Sequence, residues 1–274
     1  MAYAEHLPSP GLRDLVRRYW TLEEEHRPAT EEHRFLPERS VRLTFYSGES
    51  LLGPADELRP LPAVYLLGLH ARPVRAISRG LTRALGAELY PWGTVRLLGL
   101  STGVQNLIYP VRDPALVRLG GRLRALLTAG AWAEALGELD AWLCVRAASR
   151  LREPGPAVGA ALALYREPGR ANIGELAGEL GLSPRSLERQ FRAEVGLPPK
   201  ALARLIRFEE AHNRLWLDPA LSLTTLAYDL GYADQAHFTR DFRSFADMNP
   251  SAFAGYASGV RGLLDTEPLP GTDG

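Results

Sequence analysis

Leu176-Ala177-Gly178-Glu179-Leu180-Gly181 recurs fifty positions downstream as Leu226-Ala227-Tyr228-Asp229-Leu230-Gly231. After a turn one residue longer, Leu187, Arg189, Phe191 and Arg192 recur as Phe238, Arg240, Phe242 and Arg243, and Pro199 and Leu202 recur as Pro250 and Phe253. Each copy reads as two short helices around a tight turn. In the first, Ile173, Leu176, Ala177 and Leu180 form the apolar stripe of one helix. Gly181 stands where a left-handed C-cap is wanted, Ser183 is a natural N-cap, and Pro184 suits the first helical turn. Leu187 and Phe191, four apart, anchor the second helix inward, and small Ala177 lets the two helices cross closely. In the second copy Leu223, Leu226, Ala227 and Leu230 pack inward, Gly231 turns, Asp234 caps, and Phe238 and Phe242 anchor.

That assignment leaves Arg185, Glu188 and Arg189 outward in the first unit, and Gln235, Ala236, Thr239 and Arg240 outward in the second. They lie toward the N-terminal half of the second helix, the part of a helix-turn-helix that meets base edges. Arg189 and Arg240 hold equivalent places in both copies, whereas His237, beside the Phe238 anchor, reads as structural. Between the copies, about Lys200 to Leu217 keeps Leu202, Leu205, Ile206, Glu209 and Leu215 on helical spacing. A helix of roughly 18–20 residues spans about 27–30 Å. Successive major grooves on one face of B-DNA are about 34 Å apart, so such a spacer suits two reading heads in adjacent grooves.

On these residues, about 157–258 resemble the DNA-binding domain of the AraC/XylS family of transcription regulators. The likeness is carried by Leu176-Ala177, Gly181-Leu182-Ser183-Pro184, Leu187-Glu188-Arg189-Gln190-Phe191-Arg192, Arg204-Leu205-Ile206-Arg207, Leu226-Ala227, Leu230-Gly231-Tyr232, His237-Phe238, Phe242-Arg243 and Pro250-Ser251. The resemblance implies base reading through Arg185, Glu188, Arg189, Gln235, Ala236 and Arg240. One departure is Asp247, where the family usually has glycine; Asp tolerates the left-handed conformation, so the turn is expected to survive. Charge is the other. Residues 157–258 hold 11 basic and 12 acidic side chains, and the 274-residue chain has 32 of each. DNA affinity must come from a few placed arginines rather than a broad basic field.

Residues 1 to about 110 read as β-rich. Val41-Arg42-Leu43-Thr44-Phe45 alternates with period two, and Val64–Leu69, Val74–Ile77 and Leu85–Tyr90 are further short strands. Gly53-Pro54, Pro60, Pro62, Pro73, Gly80 and Pro91 are taken as turn punctuation between them, which suggests a barrel or sandwich. From Pro114 the pattern turns helical. Leu116, Leu119, Leu123 and Leu126, then Ala135, Leu136, Leu139, Trp142 and Leu143, describe two amphipathic helices joined around Gly130.

The expected fold is therefore α+β. A β-rich, cupin-like or small-barrel sensor and dimerisation domain at 1–150 ends in two helices at about 114–149. A linker at 151–156 leads to the all-α DNA-binding domain at 157–258, with units at about 173–192 and 223–243, and a fraying tail at 259–274.

By the same resemblance the N-terminal part, through Tyr19-Trp20, Phe35-Leu36-Pro37 and Leu89-Tyr90-Pro91-Trp92-Gly93, is similar to an uncharacterised domain common in such regulators. The expected partners are a double-stranded DNA operator, RNA polymerase, a small-molecule effector and a second copy of the chain. A regulator without an effector, working by abundance, stays open beside that reading. Trp20, Tyr46, Tyr65, Tyr90 and Trp92 are candidates to line an effector pocket, though strand aromatics more often make core.

No cofactor or metal is expected. There is no His-x-His, and His6, His26, His33 and His70 are scattered. Cys144, the single cysteine, lies within a helical pattern and reads as a buried structural thiol. An enzyme coupled to this DNA-binding domain would need a reactive cysteine in a Pro-Cys-His-Arg context and a cysteine zinc site, and neither is present. No apolar run approaches the roughly 20 residues of a membrane-spanning helix. No secretory signal is seen, so a cytoplasmic location is expected.

Overall fold

The computed structural model describes residues 2–53, 58–100, 108–149, 155–168 and 171–264. Seven strands form one antiparallel sheet: β1 (Ala2–His6), β2 (Val16–Phe35), β3 (Val41–Gly53), β4 (Arg59–Pro60), β5 (Val64–Leu67), β6 (Val74–Leu89) and β7 (Ile108–Pro110). The order is β1-β2-β6-β3-β5-β7, with β4 on β3.

Two of the expected short strands, Val74–Ile77 and Leu85–Tyr90, prove to be the ends of the single strand β6. Gly80 is not a turn between them. It sits inside β6 at φ +61°, next to the register shift where His26 pairs with Gly80 and Glu31 with Ser78. A glycine in a strand interior that takes this conformation marks a bulge rather than a reversal. Pro60 is likewise inside β4, and Pro91 begins helix α1 (Pro91–Leu98), which the sequence reading did not foresee. Proline at the first helical position lacks only an N–H that would have had no partner there.

Alternation sorts the sheet into two faces. Tyr19, Val41, Leu43, Phe45, Leu85, Ala87 and Leu89 turn one way and are buried. Against that face pack α2 (Pro114–Ala129), through Leu116, Leu119, Leu123 and Leu127, and α3 (Trp132–Ser149), through Ala135, Leu139 and Leu143. The expected hairpin is present: Asp113 caps α2 by accepting from the Ala115 N–H at 2.8 Å, and Gly130 closes it at φ +74°. Asp140 of α3 ties the chain start down, accepting from the Ser9 N–H at 3.0 Å and the Tyr19 hydroxyl at 2.8 Å. Burial pushes the Asp140 carboxyl up, but those hydrogen bonds outweigh it and hold the group below its usual range. Cys144 is half-buried rather than buried, with Sγ 3.8 Å from Asp140 Oδ2.

The remaining helices are α4 (Pro156–Arg166), α5 (Ile173–Glu179), α6 (Pro184–Glu194), α7 (Pro199–Leu217), α8 (Leu223–Asp229), α9 (Gln235–Ala246) and α10 (Pro250–Leu264). Most of the expected linker, Leu151–Pro154, and the tail from 265 onward lie outside the described residues. One buried cluster runs without a break from Leu12 in the sheet region to Ala257 in α10. Its seam is aromatic and polar. Tyr165 of α4 meets Tyr90 at 5.1 Å and Trp92 at 5.4 Å between ring centroids, and its hydroxyl donates to the Arg39 carbonyl. Glu209 of α7 accepts from the Arg39 N–H at 2.5 Å and faces the Arg39 and Arg17 guanidinium groups at 3.0 and 3.5 Å. Among the described residues no helix is long and apolar enough to cross a membrane.

Candidate functional site

The two repeat units close in the same way. In the first, the Leu182 N–H donates to the Ala177 carbonyl at 2.8 Å and the Gly181 N–H to the Gly178 carbonyl at 3.0 Å. In the second, the Tyr232 N–H donates to Ala227 and the Gly231 N–H to Tyr228, each at 3.0 Å. Gly181 and Gly231 sit at φ +64° and +68°, as a left-handed helix end requires. Ser183 accepts from the Ser186 N–H at 3.2 Å, and Asp234 accepts from the His237 N–H at 2.6 Å, so both expected caps are made. Two further caps escaped sequence reading: Asn172 accepts from the Gly174 N–H at 2.8 Å and Ser222 from the Thr225 N–H at 3.3 Å. Asp247 takes the left-handed conformation at φ +54°, so the turn before α10 survives the missing glycine.

Leu187 and Phe191 bury the inner side of α6, and Phe238 and Phe242 that of α9. Arg185, Glu188 and Arg189 are exposed on α6; Gln235, Ala236 and Arg240 are exposed on α9, and Thr239 is half-buried. Ser183, Arg185, Ser186, Glu188, Arg189 and Arg192 line one shallow cleft. Glu188 pairs within its own helix with Arg192 at 3.0 Å, which keeps the acidic group from being a free acceptor. On α9 the Thr224 hydroxyl donates to Gln235 Oε1 at 2.7 Å and leaves the amide nitrogen as the group Gln235 offers outward.

The second unit also has a polar support that the sequence did not reveal. Asp241 is buried and accepts from Arg204 Nε at 2.8 Å and from the Tyr232 hydroxyl at 3.0 Å. Arg207 lies over the Tyr232 ring at 4.4 Å. The corresponding place in the first unit is Gln190, so this polar support does not repeat between the copies.

A second candidate site lies on the sheet face turned away from α2 and α3. It is a cavity of about 370 Å³, within the range of small-molecule pockets. Trp20, Leu22 and His26 line it from β2; Arg42, Tyr46 and Leu52 from β3; Tyr65 from β5; Ser78 and Thr82 from β6. Three of the five aromatic candidates, Trp20, Tyr46 and Tyr65, are here, whereas Tyr90 and Trp92 belong to the Tyr165 seam. His26 Nε2 is 3.1 Å from the Thr82 hydroxyl, and Tyr46, Ser50 and Ser78 form a hydroxyl chain at 2.5 and 2.6 Å. The His33 side chain lies outside the described residues, and His70 is buried with Nδ1 3.2 Å from the Gly68 carbonyl. Among the described residues no three His, Cys, Asp or Glu side chains are grouped to hold a metal ion.

Residues 176–255 match the family described as "Helix-turn-helix domain", and residues 4–105 match the one described as "Domain of unknown function (DUF6597)". Several solved structures are similar. ToxT from Vibrio cholerae with bound unsaturated fatty acid is 12% identical over 87% of this chain and 95% of its own, with a TM-score of 0.47. A probable AraC family transcriptional regulator from Rhodopseudomonas palustris is 28% identical over 37% of this chain and 96% of its own, TM-score 0.34. The C-terminal domain of AraT, a response regulator from Geobacillus stearothermophilus, is 20% identical over 44% of this chain and 95% of its own, TM-score 0.35. No curated protein matches the chain. Residues 176–255 are a helix-turn-helix domain.

Proposed function

We propose that the chain is a sequence-specific transcription regulator that lays α6 and α9 into successive major grooves of one duplex. The observation that carries this reading is the repetition itself: two units with the same capped turn, each with an outward face, held by one continuous helix. At 19 residues α7 is about 28 Å long, close to one turn of B-DNA. Arg185 and Arg189 in the first unit, and Gln235 and Arg240 in the second, are the hydrogen-bonding base readers; Glu188, Ala236 and Thr239 complete the contact surface. Bidentate Arg–guanine pairs are the chemistry the arginines suit, and the Gln235 amide nitrogen is left to donate to a base acceptor such as adenine N7.

The sheet region gates binding through a small-molecule effector. Its cavity supports this, and the Arg39–Glu209 contact gives it a route to the spacer helix. A second copy binds through the α2–α3 hairpin, where Val117 and Val145 are exposed apolar residues, and RNA polymerase is the downstream partner. The protein acts as a binder rather than an enzyme, and burial and the neighbouring Asp140 carboxylate push the Cys144 thiol up, which disfavours that thiol as a nucleophile. The decisive test selects duplexes from a random pool with the full chain, then inserts five base pairs between the two halves of the selected site. Binding should fall at least tenfold, because the second head then faces the far side of the duplex. Unchanged affinity would show that only one unit reads DNA.

A further inference from the structure

We propose that the sheet cavity is a site for a small, uncharged, largely aromatic molecule carrying one hydrogen-bond acceptor such as a carbonyl oxygen. The inference rests on the effector reading above and names the chemistry of that effector. Shape and lining come first: Trp20, Tyr46, Tyr65, Leu22 and Leu52 supply an apolar wall over about 370 Å³, enough for one or two rings. Polarity comes second. The Trp20 indole is 8% exposed, and its Nε1–H has no acceptor; the Nε–H of Arg42 is also without one. The Arg42 guanidinium lies 5.6 Å over the Trp20 ring and both residues line the cavity, so the two side chains that carry these donors are neighbours there. Buried donors without acceptors are costly, and an acceptor atom on a ligand removes that cost.

Charge decides the head group. Arg42 is held by Glu38 and lies 3.9 Å from Glu88, so its positive charge is already matched. Glu88, 1% exposed, is in turn shared with Arg17 at 3.3 Å and Arg18 at 2.9 Å. Burial, with Glu209 and Glu88 adding to it, pushes the Glu38 carboxyl up to about 7 despite the adjacent Arg42. A corner that already strains to hold its own carboxylates disfavours another anion. A cation would enter a corner where the Arg17, Arg18 and Arg42 guanidinium groups already surround Glu88, while Glu24, the carboxylate of β2 in the lining, lies 3.9 Å from His26. A neutral acceptor takes both free N–H groups and disturbs neither balance.

The same cluster links the cavity to the helical region, because Arg17 touches Glu88 on one side and Glu209 of α7 on the other. A ligand that moves Arg42 therefore changes the charges around Glu88 that hold Arg17.

The test uses three probes on the full chain that share one phenylalkyl body: 4-phenylbutan-2-one, 4-phenylbutyrate and 4-phenylbutylamine, titrated by calorimetry. The ketone should bind at least tenfold more tightly than either charged probe. Trp20→Phe, which keeps an aromatic ring but deletes the N–H, should erase most of that preference. Ala84→Leu, which fills the cavity without touching a polar group, should weaken the ketone at least tenfold. Tightest binding by the acid or the amine, or no binding of any probe at millimolar concentration, overturns the proposal. If the ketone binds as described but leaves DNA affinity unchanged, the site stands and the effector reading falls.

Discussion

Glu209 and Arg39 are 170 positions apart in the chain, yet the carboxylate of one accepts the backbone N–H of the other at 2.5 Å and meets its guanidinium at 3.0 Å. The spacer helix between the two reading units is thereby bonded to the loop that joins β2 to β3. Replacing Glu209 with Ala removes one partner of a nearly buried ion pair and leaves the Arg39 N–H without an acceptor. The expected loss is about 3–5 kcal/mol. Urea denaturation of the full chain measures it, and a loss below about 0.5 kcal/mol, the size of an ordinary surface change, would show that the pair holds nothing.

Arg189→Ala and Arg240→Ala should each weaken binding to the selected duplex by about 1–3 kcal/mol, the worth of one bidentate base contact. Arg185→Ala should in addition relax base preference in one half of the site. Fluorescence anisotropy over a salt series reads both quantities. With 11 basic against 12 acidic side chains in 157–258, few phosphates are neutralised and the salt dependence should be shallow. Wild-type affinity in all three variants contradicts the assignment of these faces to DNA.

Asp247 pays for a left-handed backbone that glycine adopts freely. Asp247→Gly should leave stability unchanged or raise it by up to about 1 kcal/mol, and Asp247→Val should lower it by about 1–2 kcal/mol. Thermal unfolding of the pair decides the matter. Equal values for both variants would mean that this turn does not constrain the chain.

A Cβ on Gly86 would lie 2.1 Å from Cε2 of the Trp20 indole, opposite it on β2. Gly86→Ala must push that ring into the cavity, at a cost of about 1–3 kcal/mol in stability. Tryptophan emission should shift together with the loss. A spectrum and a melting temperature like the wild type's are incompatible with the flat seating of Trp20.

The raised Glu38 carboxyl makes a prediction with a definite sign. Between its ordinary value near 4.5 and its folded value of about 7, the folded chain binds more protons than the unfolded one. Stability from this group is present below 4.5 and is lost as pH rises through 7. Because the side chain is 30% exposed, solvent screening limits the effect to about 1–2 kcal/mol. Glu38→Gln should flatten the stability profile between pH 5 and 7, and an unaltered slope in the variant would place the titration elsewhere.

The helix-turn-helix units were legible because their instructions are local. Gly181, Ser183, Gly231 and Asp234 specify turns and caps within a few residues of themselves, and the apolar spacing of Leu187–Phe191 and Phe238–Phe242 names the inner face. The sheet was read only in part. Val41–Phe45 alternates cleanly, but β2 carries Glu23, Glu24 and Glu25 in a row, because alternate residues face the cavity and its rim, and no apolar period survives. Gly80 looked like punctuation for the same local reason; its pairing with His26 of β2, and the pairing of Arg79 and Arg83 on either side of it with β3, keep it inside one strand. Contacts such as Glu209–Arg39, Asp241–Arg204 and the Arg42 cluster join residues far apart in sequence, and nothing in the neighbourhood of either partner announces the other.

Trp92 is wholly buried, but the tyrosine that closes its seam, Tyr165, lies 73 residues further along the chain. At synthesis rates of about 5–20 residues per second, the ribosome delivers that tyrosine roughly 4–15 s later. During that interval the Tyr90 and Trp92 rings at the start of α1 lack the Tyr165 ring that packs on them, because α4 is still being made. The last ring of that seam is therefore supplied only once α4 has been made. Slow codons between α3 and α4 would lengthen the exposure, and a chaperone that shields those rings would act before the DNA-binding half exists.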